Sequence, residues 1–283
     1  MRKVKIIVDS TSDLGKEVYE KHDIEIVPIY VILGDNTYKD YYEMDTTKMF
    51  AYTAETGIYP KTAAASPLWI HKVFKKYYDQ GYDILYTGIS SKLSSTFSIA
   101  KTAARDIDPN EERIFLLDSE NLSTGVGLLV LKMIKYRDQG LSAKEIRDKV
   151  LEFVPHVKTQ FTLNTFEYMQ KGGRCSAVVR YAAAVFRFKP VLKVTNGLLQ
   201  VVRKPIGFKR SINSMLLDAE NAFKTADQDA IFVTYSSYGD WVDYLVDELK
   251  KIGYKNVYTT LAGATICTHC GPQCVGILYI DKE

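Results

Sequence analysis

An excess of charge of either sign is missing from this sequence. Lys and Arg number 37 against 34 Asp and Glu, which leaves +3 over 283 residues. The two signs are also interleaved, as in Lys144-Glu145-Ile146-Arg147-Asp148-Lys149, the pattern of a solvated helix face. Nucleic-acid binders concentrate basic residues in a patch or stripe, so no nucleic acid is expected as a partner. Long apolar runs are absent too. No stretch reaches the roughly eighteen residues of a membrane span, and Ile6-Ile7-Val8 is cut at once by Asp9, too soon for the apolar core of a signal peptide. The expectation is a cytoplasmic chain with no membrane span. Cysteine is scarce: Cys175, Cys267, Cys270 and Cys274 are the only four. That number and spacing do not make a disulfide framework in a reducing compartment. No repeat, no low-complexity tract, no P-loop, no dinucleotide fingerprint and no G-x-S-x-G elbow occurs.

What is present reads as globular α/β protein. Hydrophobic residues make up 46% and charged residues 25%, and the length suits two domains. In the first half, short apolar runs at Val4–Val8, Asp83–Tyr86 and Ile114–Leu117 alternate with helical patterns at Leu14–Lys21, Ser95–Ala104 and Thr124–Gln139. Alternation of this kind predicts a mainly parallel sheet. The extended run Ile24–Ile32 carries Pro28, which marks an interruption or an edge. Near residue 155 the pattern restarts, with strands expected at Lys158–Leu163, Val191–Val194, Leu198–Val202, Ala230–Tyr235 and Val275–Ile280. Helices are expected at Ile212–Phe223 and Asp240–Lys250. The division predicted is 1–155 and 156–283, both α/β.

Three strands of the first half end in hydroxyl-rich turns: Asp9-Ser10-Thr11-Ser12, Ser90 through Thr96, and Asp118-Ser119. Ligands collect beyond the carboxyl ends of strands in open α/β sheets, although Ser and Asp there also cap helices and turns. Asp9, Asp13 and Asp118 have no carboxylate or His at a ligand-like spacing and read as caps. Lys171-Gly172-Gly173-Arg174 predicts a tight turn with close backbone approach. Cys267-Thr268-His269-Cys270-Gly271-Pro272-Gln273-Cys274 has a C-x2-C spacing suited to zinc or to a redox pair, against small buried residues lining a turn. Ser94 and His269 with an acid would make a hydrolase triad, a geometry that sequence does not show.

Taken together these residues resemble the DegV family of bacterial fatty-acid-binding proteins. The segments that carry the likeness are Val8-Asp9-Ser10-Thr11-Ser12-Asp13, Val27-Pro28 with Tyr38-Lys39-Asp40, Lys61-Thr62, Ile89 through Thr96, Asp118-Ser119, Gly172-Gly173-Arg174 and Thr268-His269-Cys270-Gly271-Pro272. The resemblance implies two α/β domains with a ligand tunnel at their junction, holding one long-chain fatty acid and no cofactor. It places the carboxylate on Thr62 and Ser94 with His269 nearby and assigns no catalytic residue. Some members of the family present the acyl chain to a separate ATP-dependent fatty acid kinase that feeds phospholipid metabolism, which is the partner such a role would imply here. Tyr181 through Phe186, with small residues that leave room for a chain, reads equally as a wall of such a tunnel and as an ordinary buried helix. A chain of about sixteen carbons, at ~0.8 kcal/mol per methylene, has a gross drive of roughly 12 kcal/mol into such a tunnel. The chain departs from the family where T-S-Q-P-S is usual and Thr62-Ala63-Ala64-Ala65-Ser66 stands, and where K-x-R is replaced by Arg203-Lys204-Pro205. The competing functions are a Ser94/His269 lipid-ester hydrolase and a metal or redox protein built on Cys267, Cys270 and Cys274.

Overall fold

The computed structural model describes residues 2–173 and 188–282. Strand β1 (Val4–Asp9) is buried in all but its first residue. The Ser/Asp signal after it caps a 3₁₀ turn, Ser10–Ser12, through the Asp9 side chain. Helix α1 (Lys16–Lys21) begins only later than the Leu14 expected. Asp13 (φ 50) and Gly15 (φ 84) adopt left-handed backbone between the two, which no continuous helix tolerates. The run Ile24–Ile32 splits at Pro28 into β2 (Glu25–Val27) and β3 (Tyr30–Leu33), and these join different sheets.

Strand β4 (Asn36–Lys39), helix α2 (Thr46–Thr56), strand β5 (Lys61–Ala63) and helix α3 (Pro67–Asp79) follow. The order β4-β3-β5 makes a small antiparallel sheet that sequence reasoning did not foresee. Then come β6 (Asp83–Gly88), α4 (Thr96–Ile107), β7 (Ile114–Asp118), α5 (Thr124–Asp138) and α6 (Ala143–Leu151). The parallel sheet of the first half is as expected, in the order β2-β1-β6-β7.

The second half contributes β8 (Val157–Thr162), α7 (Glu167–Gly172), β9 (Val191–Thr195), β10 (Leu198–Arg203) and α8 (Phe208–Asn221). It continues with β11 (Ala226–Tyr235), α9 (Asp240–Ile252), β12 (Val257–Leu261), α10 (Ala264–Cys270) and β13 (Val275–Asp281). Its sheet runs β10-β9-β8-β13-β11-β12 and is antiparallel except for β11 with β12. The cysteine-rich segment is therefore not simply a turn. Cys267, His269 and Cys270 stand on helix α10, and only Cys274 lies beyond it.

Packing explains the composition of these elements. Strands β1 and β6 alternate: Ile6, Val8 and Leu85 face α5, while Ile7, Ile84 and Tyr86 face α3 and α4. With both faces covered, such strands read as continuous apolar runs. Helix α5 is buried nearly all round over Thr124–Val130, because Leu128, Leu129 and Met133 share one core with the parallel sheet and with Phe232, Leu278 and Ile280 of the second sheet. Helices α8 and α9 cover that sheet's other face. Arg174, Cys175 and the wall expected at Tyr181 through Phe186 lie outside the described residues. Among the described residues no helix is long and apolar enough to cross a membrane.

Candidate functional site

Three buried aspartates of the first half organise the site without entering it. Asp9 Oδ1 accepts from the Thr11 amide (3.1 Å) and hydroxyl (2.6 Å), and Oδ2 accepts from the Ile89 amide at 2.8 Å. The last bond fixes the start of the loop that carries Ser94. It needs Gly88 beside it, since a Cβ there would fall 2.2 Å from Asp9 Oδ2. Burial pushes the Asp9 carboxyl up to about 6. Asp118 also has the turn role expected, accepting from the amides of Ser91 (3.2 Å) and Glu120 (3.1 Å).

Helix α10 has no side-chain cap of its own, because Gly263 precedes it. Its free amides are met from across the molecule. Gly263 N–H donates to Asp13 Oδ1 at 3.0 Å, Ala264 N–H to Asp40 Oδ1 at 3.1 Å, and Thr265 N–H to Asp40 Oδ2 at 3.3 Å. Ser123 and Ser10 supply hydroxyls to the same two carboxylates, at 2.5 Å and 2.9 Å. Anionic groups at a helix N-terminus satisfy orphan donors and complement the dipole. Burial nonetheless raises both carboxyls above their ordinary value.

These supports place Thr62, Ser94 and His269 on one cavity of about 450 Å³. Thr62 sits on β5 opposite Val31, and its Oγ1 lies 2.9 Å from His269 Nε2. The approach of α7 to that ring requires glycine: a Cβ on Gly172 would stand 2.4 Å from His269 Nδ1. Close backbone approach was the reading of the Gly172-Gly173 pair. Ser94 Oγ is 3.0 Å from Thr96 Oγ1 and accepts from the Thr96 amide at 3.2 Å. Thr96 Oγ1 in turn accepts from the Ala65 amide at 3.2 Å, which ties the segment after Thr62 to the Ser94 loop. Thr62, Ser94 and His269 are half-buried. Ile29, Ile89, Leu122, Phe161, Met169 and Leu199 line the interior, and Leu122, Ile89 and Phe161 belong to one buried cluster.

The arrangement offers hydroxyl and imidazole groups at the rim of an apolar space. It offers no activated nucleophile, because Ser94 bonds to Thr96 while His269 bonds to Thr62. Among the described residues no group of three or more His, Cys, Asp or Glu side chains could hold a metal ion. Two lining residues that sequence reasoning left out are Cys270 and Cys274. Cys270 follows His269 directly, yet that either residue lines the cavity shows only once helix α10 is in place. Ala63 and Ala64 also line the rim, whereas Arg203 is held by Asp218 through bonds of 3.0 Å and 2.5 Å.

Fold and site together define an α/β protein in which the six-stranded sheet, strand β5, helix α10 and the loops that follow the parallel strands enclose an apolar cavity with a polar rim. The profile of the DegV family, described as an uncharacterised protein family, matches residues 3–282. The chain belongs to the DegV family. It is 28% identical to a DegV domain-containing protein of Clostridium acetobutylicum, covering 100% of both chains. It is 27% identical to a fatty acid-binding protein of Thermotoga maritima, over 97% of this chain and 96% of that one. A Thermus thermophilus DegV family structure, described by its fatty acid binding, superposes with a TM-score of 0.90 at 26% identity, covering 99% of this chain and 100% of that one.

Proposed function

We propose that this protein binds one long-chain fatty acid, carboxylate at Thr62 and Ser94 with His269 beside them, acyl chain in the apolar cavity. The observation that carries this reading is the shared rim: three polar groups, half-buried, on a cavity whose interior is aliphatic and aromatic. A carboxylate taken from water must be hydrogen-bonded, and hydroxyl donors do this while leaving the head group within reach of a second protein. On this reading the chain acts as a carrier in the cytoplasm, not an enzyme. It divides into units 1–155 and 156–283 that share the cavity, and it presents the carboxylate to a separate ATP-dependent fatty acid kinase for conversion to an acyl phosphate. The fatty-acid-binding relatives support the ligand class. Neither the hydrolase nor a metal centre is favoured by the hydrogen bonds of Ser94, His269 and the cysteines.

Native mass spectrometry of the purified protein tests the ligand. An added mass equal to one fatty acid, lost on delipidation and restored by stearic acid, is the expected result. Failure of delipidated protein to take up any fatty acid would sink the proposal.

A further inference from the structure

A cavity for a plain hydrocarbon chain needs no hydroxyl away from its rim, yet this one has a cluster of them. Ser123, Thr159 and Thr234 line it, and each is more than nine-tenths buried, with exposures of 3%, 2% and 7%. They converge from three elements. Ser123 stands at the start of α5, Thr159 on β8 and Thr234 on β11. Gly276 of β13 lies between the two strands, opposite Phe161 of β8 and Thr234 of β11. It has to be glycine, because a Cβ there would stand 2.7 Å from the Gln160 carbonyl oxygen. The residue opposite Thr234 on β13 therefore brings no side chain to cover its hydroxyl.

The hydrogen bonds of this cluster leave over both a donor and acceptors. Thr234 Oγ1 and Thr124 Oγ1 lie 2.5 Å apart. One of them donates to the other, so one hydroxyl hydrogen of the pair has no acceptor among the described residues. Thr159 Oγ1 gives its hydrogen to Asn121 Oδ1 at 2.6 Å, and Ser123 Oγ gives its own to Asp13 Oδ2 at 2.5 Å. Both oxygens keep lone pairs that accept. Against a bare acyl chain these groups stay unpaired away from water, which is costly. A hydroxyl on the ligand answers both needs at once, accepting the spare hydrogen and donating to Thr159 or Ser123. A ketone in the same place answers only the first.

The cluster is also set apart from the rim. Ser123 is tied through Asp13 to Gly263 at the beginning of α10, and the Ala262 amide beside it donates to the Tyr235 carbonyl at 2.8 Å. His269 stands in the last turn of α10. At ~1.5 Å per residue the two ends of that helix are about 9 Å apart, so the cluster meets a bound chain several carbons beyond its carboxylate. We propose that the cavity selects a fatty acid carrying a hydroxyl in mid-chain, read by Thr234 with Thr159 and Ser123, a proposal that rests on the fatty-acid-binding reading above.

The test is competition against a fluorescent fatty acid on delipidated full-length protein, with native mass spectrometry to read each complex directly. The probes are stearic acid, its 8-, 10- and 12-hydroxy derivatives, 10-oxostearic acid and 2-hydroxystearic acid. At least one mid-chain hydroxy acid should bind about tenfold or more tightly than stearic acid, a difference of roughly 1.4 kcal/mol. The oxo acid should gain less, and 2-hydroxystearic acid, whose hydroxyl stays at the rim, should gain nothing. Thr234→Val removes the hydroxyl at nearly constant shape; it should hold stearic acid at least as well as the parent and lose the preference. Thr159→Val should lose part of it. The comparison of probes on the unmodified chain stands whether or not either variant folds. Stearic acid binding as tightly as every mid-chain hydroxy acid overturns the proposal and leaves fatty-acid binding intact, as does a preference undiminished in folded Thr234→Val. If no probe forms a complex, the binding reading fails and takes this one with it.

Discussion

Thr62 and His269 are separated by 207 positions in sequence, yet Thr62 Oγ1 and His269 Nε2 stand 2.9 Å apart. Neither residue sets that distance by itself. Thr62 is placed by its register against Val31 in a strand of three residues. His269 is placed by a helix whose amides are held by Asp13 and Asp40. The polar rim is thus sensitive to residues that do not line the cavity.

Removing the rim hydroxyls should weaken ligand binding without unfolding the protein. Hydrogen bonds to a charged group contribute about 1.5–3 kcal/mol each, so Thr62→Ala with Ser94→Ala should lower fatty-acid affinity by an order of magnitude or more. Displacement of a fluorescent fatty acid measures it. Unchanged affinity in the double variant would remove both residues from the site.

Asp40→Ala should be costly for a different reason. It uncaps α10 and strands the amides of Ala264 and Thr265 in a buried place. Loss of a cap and of a charged acceptor together should destabilise by about 2 kcal/mol or more. Urea unfolding gives the number, and amide exchange at Thr265 should quicken with it. A variant as stable as the parent contradicts the capping role.

Gly172→Ala acts through the imidazole. The new methyl meets His269 Nδ1 at 2.4 Å, and overpacking of this kind costs about 1–3 kcal/mol unless the neighbour moves. The half-buried ring is the part able to move, so ring resonances of His269 should shift and affinity should drop while the fold persists. Wild-type resonances and affinity would show that the backbone yields instead.

The buried Asp9 carboxyl predicts a pH dependence with a definite sign. Its folded value is about 6 and its unfolded value 3.8. The native state holds a proton that the unfolded chain releases between those values, so stability falls as pH rises through this window and levels off above it. The span amounts to about 3 kcal/mol. Asp229, held at about 2 by Lys132 and Lys135, acts the other way: its contribution is lost as pH falls below 3.8, outside the window. Unfolding midpoints from pH 4 to 7, compared with Asp9→Asn, isolate the effect. An equal slope in both proteins argues against a raised carboxyl.

Without an activated nucleophile, the protein alone should show no esterase or thioesterase turnover above background. A robust rate abolished by Ser94→Ala would require His269 to exchange Thr62 for Ser94 as its partner.

What sequence could disclose here follows from where each element gets its stability. Strands β1 and β6 are buried and β7 is half-buried, and all three announce themselves as apolar runs, so the parallel sheet was legible, as was the turn role of Asp9. Strands β4 and β12 lie at sheet edges with no buried residue, and β5 has only three residues, too few for a period to register. Helix α10 was read as a turn because its seven residues include Thr, Ile and Cys and no local cap. Its caps arrive from Asp13 and Asp40, 250 and 224 positions away. For the same reason the wall made by Cys270 and Cys274 was invisible until the helix was seen.

Strand β13 comes after every other member of its sheet in the chain, yet it occupies an interior place between β8 and β11. During synthesis, β10-β9-β8 and β11-β12 can each assemble early, but nothing joins them until β13 leaves the ribosome. Until then α5 waits with one flank wet, lacking Leu278 and Ile280, and the cavity lacks Gly276 and Leu278 from its wall. At roughly 5–20 residues per second, the nascent chain carries this open seam for several seconds. A holdase that covers apolar surface would find its moment there, and a ligand already in place would find its walls built around it.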